Sequence, residues 1–312
     1  MRFNPKARLD TSRTRDAGRS SAGRSGGSRL PIPGGIGGGG IGGVVLLVIL
    51  FVIGRAVGID ILGGGGSGGG LGGGGLDSSR FTDTGRYSSC KTGEDANNSA
   101  DCARVAVENS LFDYWTDELG GRFEPEEGLV TFTGSVDTGC GAASSDVGPF
   151  YCPPDRTIYL DSGFFDQVLE DQLGGPDGGF VEAYVLAHEY GHHIQNLLGA
   201  MGQVRTQQGP QSDAVRLELQ ADCYAGMWTK AATSTEDASG EVLFSSLTQQ
   251  DIDLALEAAA SVGDDRIQQK TQGQVTEESW THGSAEQRQT WFETGFEQGS
   301  LEACDTFAAS RV

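Results

Sequence analysis

Histidine is scarce in this chain of 312 residues, which holds only 4, and positive charge is short as well: 22 Lys and Arg stand against 43 Asp and Glu, a net charge of −21. The shortage is uneven. Residues 1–55 carry nine Lys or Arg and two Asp, so the remainder is an acidic body behind a basic leader. A surface of that sign repels phosphate backbones, which argues against a nucleic-acid role for the body. The 50 Gly cluster instead of recurring at every third position, which excludes a collagen-like chain. Their densest cluster, Gly63–Leu76 (GGGGSGGGLGGGGL), has no closing Lys-Ser/Thr, so it is not a phosphate loop. No Cys-x-x-Cys occurs among the six Cys, and their wide spacing argues against structural zinc held by thiolates.

Long apolar runs are missing except for one. No charge falls between Leu30 and Gly54, and Val44–Ile53 (VVLLVILFVI) is unbroken. With the Gly/Ile segment before it and Ala56–Leu62 after it, the stretch reaches the roughly 20 residues that cross a hydrocarbon core. No small-x-small site follows and the charged region in front is long, which argues against a cleaved signal peptide. The pattern predicts one transmembrane segment over residues 31–62. Arg2, Lys6, Arg8, Arg13, Arg15, Arg19, Arg24 and Arg29 in front of it would hold the N-terminus in the cytoplasm. Residues 1–30 then read as a disordered basic leader, 63–79 as a flexible tether and 80–312 as an extracytoplasmic domain of a single-pass cell-membrane protein.

All six Cys (Cys90, Cys102, Cys140, Cys152, Cys223, Cys304) follow the tether, as an oxidising compartment would produce. Six cysteines allow 15 connectivities and the sequence does not decide among them. The pairs favoured are Cys90 with Cys102 and Cys140 with Cys152, each enclosing a polar loop, which leaves Cys223 with Cys304.

From residue 80 the periodicities predict an α+β domain, mostly helical with a small sheet. Helices are expected at about Ala103–Leu119, Gly163–Leu173, Phe180–Leu198, Asp213–Thr229 and Thr248–Val262. A last one starts at the capping box of Ser284 and Gln287. Strands are expected at Leu129–Thr133 and Thr157–Leu160.

His188-Glu189-Tyr190-Gly191-His192 lies within the third of these helices. Residues four apart share a helix face, so His188 and His192 offer two imidazoles to one point, a geometry that suits Zn2+. Glu189 is then placed to take a proton from an attacking water. A catalytic zinc needs a third protein ligand. Glu218 is assigned to that place, with Asp222, four residues on, as the acceptor that holds a His tautomer. The competing reading of this pair is a solvated acidic helix face. His193 points about 100° away from His192 and reads as a packing residue. His282 precedes the last helix, where a fold-back would let it stabilise an oxyanion; the rival reading is a helix contact without chemistry.

These residues resemble a zincin of the gluzincin type, and more closely the bacterial neutral zinc metallopeptidase family. The resemblance rests on Cys140-Gly141 through Gly148-Pro149-Phe150-Tyr151-Cys152-Pro153, Tyr159-Leu160-Asp161, His188 to His193, Leu217 to Cys223, Gly263-Asp264-Asp265-Arg266, and His282-Gly283-Ser284 with Gln287-Arg288. It spans roughly residues 104–307 and implies a membrane-anchored peptidase with one Zn2+ on His188, His192 and Glu218. The Cys90–Cys102 loop and the Gly-rich tether depart from it.

The reading that follows is an endopeptidase acting on protein or peptide substrates outside the membrane, with Glu189 as general base and His282 at the oxyanion. An edge strand, Leu129–Thr133 or Thr157–Leu160, would align the substrate. The rivals are a silent zinc-braced domain that binds envelope partners, and a zinc amidase acting on a cell-wall amide. An intramembrane protease is rejected because Glu182, Gln195 and Asn196 flank the motif.

Overall fold

The computed structural model describes residues 1–19, 81–176 and 178–312. The chain enters through strands β1 (Arg2–Phe3) and β2 (Thr14–Arg19). Helices α1 (Gly93–Asn98) and α2 (Ala100–Leu119) follow. Next come β3 (Gly128–Thr133), β4 (Ser135–Thr138), β5 (Gly141–Ser144), β6 (Phe150–Cys152) and β7 (Thr157–Asp161). The expected helix at Gly163–Leu173 is a π-helical turn over Phe165–Glu170. Helices α3 (Gly179–Leu198) and α4 (Asp213–Ala231) follow, and then the short strand β8 (Phe244–Ser246). The chain ends in α5 (Gln249–Ser261), α6 (Asp264–Gln272) and α7 (Ala285–Gln298).

Local chemistry sets the helix ends. The Ser284 hydroxyl accepts the Gln287 N–H while the Gln287 side chain takes the Ser284 N–H, so α7 begins at the expected capping box. Thr248 and Asp251 start α5 in the same way, and Gly199, left-handed at φ 77°, stops α3. The faces of α2, α3 and α4 meet in a core that buries Trp115, Phe180 and Trp228, the last two stacked with centroids 6.0 Å apart.

The main sheet has the order β2-β3-β7-β6, with β2, β3 and β7 parallel and β6 antiparallel to β7. Both strands expected to offer an edge are therefore interior, as β3 and β7. The edges among the described residues are β2 and β6. Antiparallel β4 and β5 form a separate hairpin, tied to β6 by the Cys140–Cys152 bridge. Bridges Cys90–Cys102 and Cys223–Cys304 complete the favoured set, and no described cysteine is free.

The N-terminal expectation is corrected. Segment 31–62, read as the membrane span, and the tether at 63–79 lie outside the described residues, as do residues 20–30, but residues 1–19 do not form a disordered leader. β2 is hydrogen-bonded in parallel to β3, with Thr14 opposite Leu129 and Asp16 opposite Thr131, while β1 pairs with β8. Phe3 and Ala7 are buried in the main core. A single crossing would hold β2 and β3 apart by a hydrocarbon layer of about 30 Å, yet they are neighbours in one sheet. The single-pass arrangement, with a cytoplasmic N-terminus and the catalytic domain outside, is thereby overturned. No helix among the described residues is long and apolar enough to cross a membrane. The leader's Arg13 has another use: its Nε donates to buried Glu108 at 2.7 Å and lies 3.7 Å from buried Glu126.

Helices α4 and α7 touch backbone to backbone. A Cβ on Gly295 would lie 1.9 Å from the Cys223 carbonyl oxygen, and one on Gly226 would lie 2.1 Å from that of Phe292. Gly295→Ala is therefore expected to force the helices apart and cost about 3 kcal/mol, read as a lowered urea midpoint with an unchanged slope. A midpoint equal to that of the unaltered chain would show that the two helices separate freely.

Candidate metal centre

Helix α3 carries His188, Glu189, His192 and His193, and α4 carries Glu218 and Asp222. Gly191 lets the two helices close up, since a Cβ there would meet the Ala221 Cα and carbonyl oxygen at 3.1 Å. The His188 and His192 rings stand nearly perpendicular with centroids 4.8 Å apart. Across from them, Glu218 Oε2 is 3.3 Å from His188 Nε2 and Oε1 is 3.5 Å from His192 Nε2. One ligand atom from each of the three residues lies within 4.8 Å of the other two. Donors about 2.0–2.1 Å from a shared tetrahedral zinc stand about 3.4 Å apart, close to the two carboxylate–imidazole distances, so the donor set suits that ion.

The electrostatics point the same way. Burial pushes the Glu218 carboxyl up, but His192, His188 and His282 outweigh burial and hold it well below the usual range. Burial lowers His188, yet Asp222 and Glu218 raise it to about 10. The carboxylates that favour positive charge here would equally suit a dication.

Asp222 is where the sequence reading placed it, behind His188: its Oδ1 accepts from His188 Nδ1 at 2.8 Å. Three further donors were missed. Arg288 Nε donates to Asp222 Oδ2 at 2.8 Å, Arg288 Nη2 to Oδ1 at 2.9 Å, and the Tyr184 hydroxyl to Oδ1 at 2.6 Å. Burial would raise Asp222, but Arg288 and His188 hold it at about 2. One signal was available for Arg288. It is a cation in the first turn of a helix, where the dipole disfavours positive charge, within a segment poor in basic residues.

Glu189 is 7% exposed and makes no hydrogen bond or ion pair among the described residues. Its carboxylate is committed to no neighbour. His193 is a packing residue, as expected: its Nε2–H donates to the Glu124 carbonyl at 2.8 Å, Tyr151 lies at 3.0 Å from Nδ1, and burial holds it down at about 4.

The segment bearing His282 does fold back. Trp280 packs on Val215 and Leu219 of α4, and Asp264 Oδ2 accepts the backbone N–H groups of Thr281, His282 and Gly283 at 2.7, 2.6 and 3.1 Å. Asp264 Oδ1 lies 3.3 Å from His282 Nδ1, which orients the ring. Asp264 was not singled out as a site residue from the sequence, although it falls in one of the blocks that carry the resemblance.

The chain is 36% identical to the uncharacterized protein YpfJ of Escherichia coli K12 over 312 residues, covering 98% of this chain and 99% of the relative. It is also 53% identical over 227 residues to an uncharacterized protein of Mycobacterium tuberculosis H37Rv, covering 72% of this chain and 76% of that one. No solved structure matches it. The sequence model of the family described as "Putative neutral zinc metallopeptidase" matches residues 1–307, from β1 through the metal cluster to the last bridge, and the chain belongs to that family.

Proposed function

We propose that the chain is a zinc-dependent endopeptidase holding one Zn2+ on His188, His192 and Glu218. The observation that carries this is the convergence of two imidazole Nε2 atoms and a buried carboxylate next to Glu189, whose own carboxylate has no partner among the described residues. Zinc bound there supplies an acidified water and a polarised carbonyl. Glu189 takes the proton of the attacking water and delivers it to the leaving amine. His282, oriented by Asp264, donates to the oxyanion.

The substrates are proteins or peptides. β6 is an edge of the main sheet among the described residues, and an extended peptide would add to it as a further strand. The β4–β5 hairpin, bridged to β6, forms one wall.

The test is metal analysis of the full chain, followed by hydrolysis of an unfolded protein. One zinc per chain is expected, with cleavage lost on chelation and regained on adding Zn2+. A chain that binds no zinc overturns the metal site. A zinc-loaded chain that cleaves no peptide bond overturns the endopeptidase reading and leaves the silent domain or the amidase.

A further inference from the structure

Asp222 holds His188, and His192 needs an acceptor of its own, since its Nδ1 must also carry a proton if Nε2 is to face a metal with its lone pair. His192 Nδ1 lies 2.8 Å from Gln195 Oε1. The Gln195 amide nitrogen donates to the Leu217 carbonyl at 2.6 Å and to Gln220 Oε1 at 3.2 Å. The Gln220 amide nitrogen in turn donates to the Cys304 carbonyl at 3.0 Å. Gln195 and Gln220 are fully or nearly fully buried, at 0% and 5% exposure.

This chain of amides has only one consistent direction. A backbone carbonyl accepts and cannot donate, so Leu217 and Cys304 fix which end of each glutamine faces them. The amide nitrogen of Gln195 is turned to Leu217, which leaves its oxygen toward His192. Only a protonated Nδ1 can meet that oxygen, and the lone pair of His192 is thereby left on Nε2, toward Glu218. The far end of the chain is anchored covalently, because Cys304 is bridged to Cys223, one residue beyond Asp222 on α4. Thr306 just beyond it donates from its hydroxyl to the Arg216 carbonyl at 2.7 Å, and Arg216 returns bonds to the carbonyls of Thr306 and Ala309.

We propose that Gln195 and Gln220 are positioning residues for the metal: an amide relay from the disulfide-anchored Cys304 carbonyl sets the tautomer of His192. The relay rests on the zinc reading above and deepens it. It also assigns the Cys223–Cys304 bridge a part in metal retention besides its part in holding the C-terminal residues.

The test measures zinc affinity by competition with a chromophoric chelator, on the full chain and its variants, and the His192 tautomer by nitrogen-resolved NMR of the imidazoles. Gln195→Leu keeps the volume, removes the acceptor, and is expected to weaken zinc binding about 10- to 100-fold. Gln195→Glu keeps an acceptor for Nδ1 but buries a charge against the Leu217 carbonyl. It is expected to destabilise the fold more than Gln195→Leu and to bind zinc more tightly than Gln195→Leu. A purely structural role predicts the same order for both readouts. Gln220→Leu, and Cys223→Ser combined with Cys304→Ser, are expected to lower zinc affinity less than Gln195→Leu while raising the Nδ1-unprotonated fraction of His192. Zinc affinities for Gln195→Leu and Gln195→Glu that simply follow fold stability, or an unchanged tautomer, would overturn the relay. A wild-type chain that binds no zinc would instead overturn the reading beneath it.

Discussion

Glu189→Gln is expected to leave one zinc per chain and to lower peptide hydrolysis about a thousandfold, equivalent to about 4 kcal/mol of barrier. The separation between the two readouts follows from the surroundings of Glu189. Its carboxylate makes no hydrogen bond or ion pair among the described residues, so the amide of the same shape costs the fold no contact. The three residues assigned to the ion are untouched, and the amide cannot accept the proton of the attacking water. kcat/KM on a fluorogenic peptide, metal content and a thermal melt together decide the matter. Activity within tenfold of the unaltered enzyme would mean that another group is the base. Loss of zinc along with activity would mean that Glu189 shapes the metal site instead.

The second large effect belongs to Arg288. Arg288→Met would leave the Asp222 carboxylate, fully buried, with only His188 and Tyr184 as partners. Removing one member of a buried ion pair costs about 3–5 kcal/mol because the survivor stays desolvated and charged. In the unaltered chain Asp222 is held at about 2 against an ordinary 3.8, so its contribution is present above the ordinary value and is lost as pH falls through the folded one. The gap between variant and parent is therefore expected to be widest near neutrality and to narrow between pH 4 and 2, read from urea midpoints at each pH. Adding Asp222→Leu removes the stranded charge and is expected to restore much of the stability. Zinc affinity stays low, because His188 then has no acceptor behind it. A single variant that loses less than 1 kcal/mol at pH 7 would show that water or a neighbour replaces the guanidinium.

Helices were legible where period and caps agree. Ser284 and Gln287 marked the start of α7, and the stripe around His188 marked α3. His188, His192 and Glu218 were legible because helical spacing puts the first two on one face, and Asp222 repeats the four-residue step. The N-terminal strands were hidden for a physical reason. The inward side of β2 is Thr14 and Asp16, both buried, and Asp16 is held by polar neighbours: the Thr131 and Thr84 hydroxyls donate to it at 2.8 and 2.6 Å. A strand with polar residues on its inner face shows no hydrophobic alternation, so its arginines read as a topology signal. Helix α2 was legible from its apolar stripe, but not the burial of Glu108 and Asn109 on its other side, which the same N-terminal segment covers. Which strands form the sheet edge depends on long-range pairing and on the N-terminal segment joining the sheet, neither of which any local pattern encodes.

The pairing of β2 with β3 and of β1 with β8 also orders events during synthesis. Strand β2 must wait for a partner more than a hundred positions downstream, and for β1 the wait extends past residue 244. At 5–20 residues per second, that delay is on the order of ten seconds or more. The guanidinium that steadies Asp222 and the Cys304 sulfur that closes the last bridge are translated later still. A nascent chain therefore carries both histidines of the cluster well before it has the groups that hold them in place.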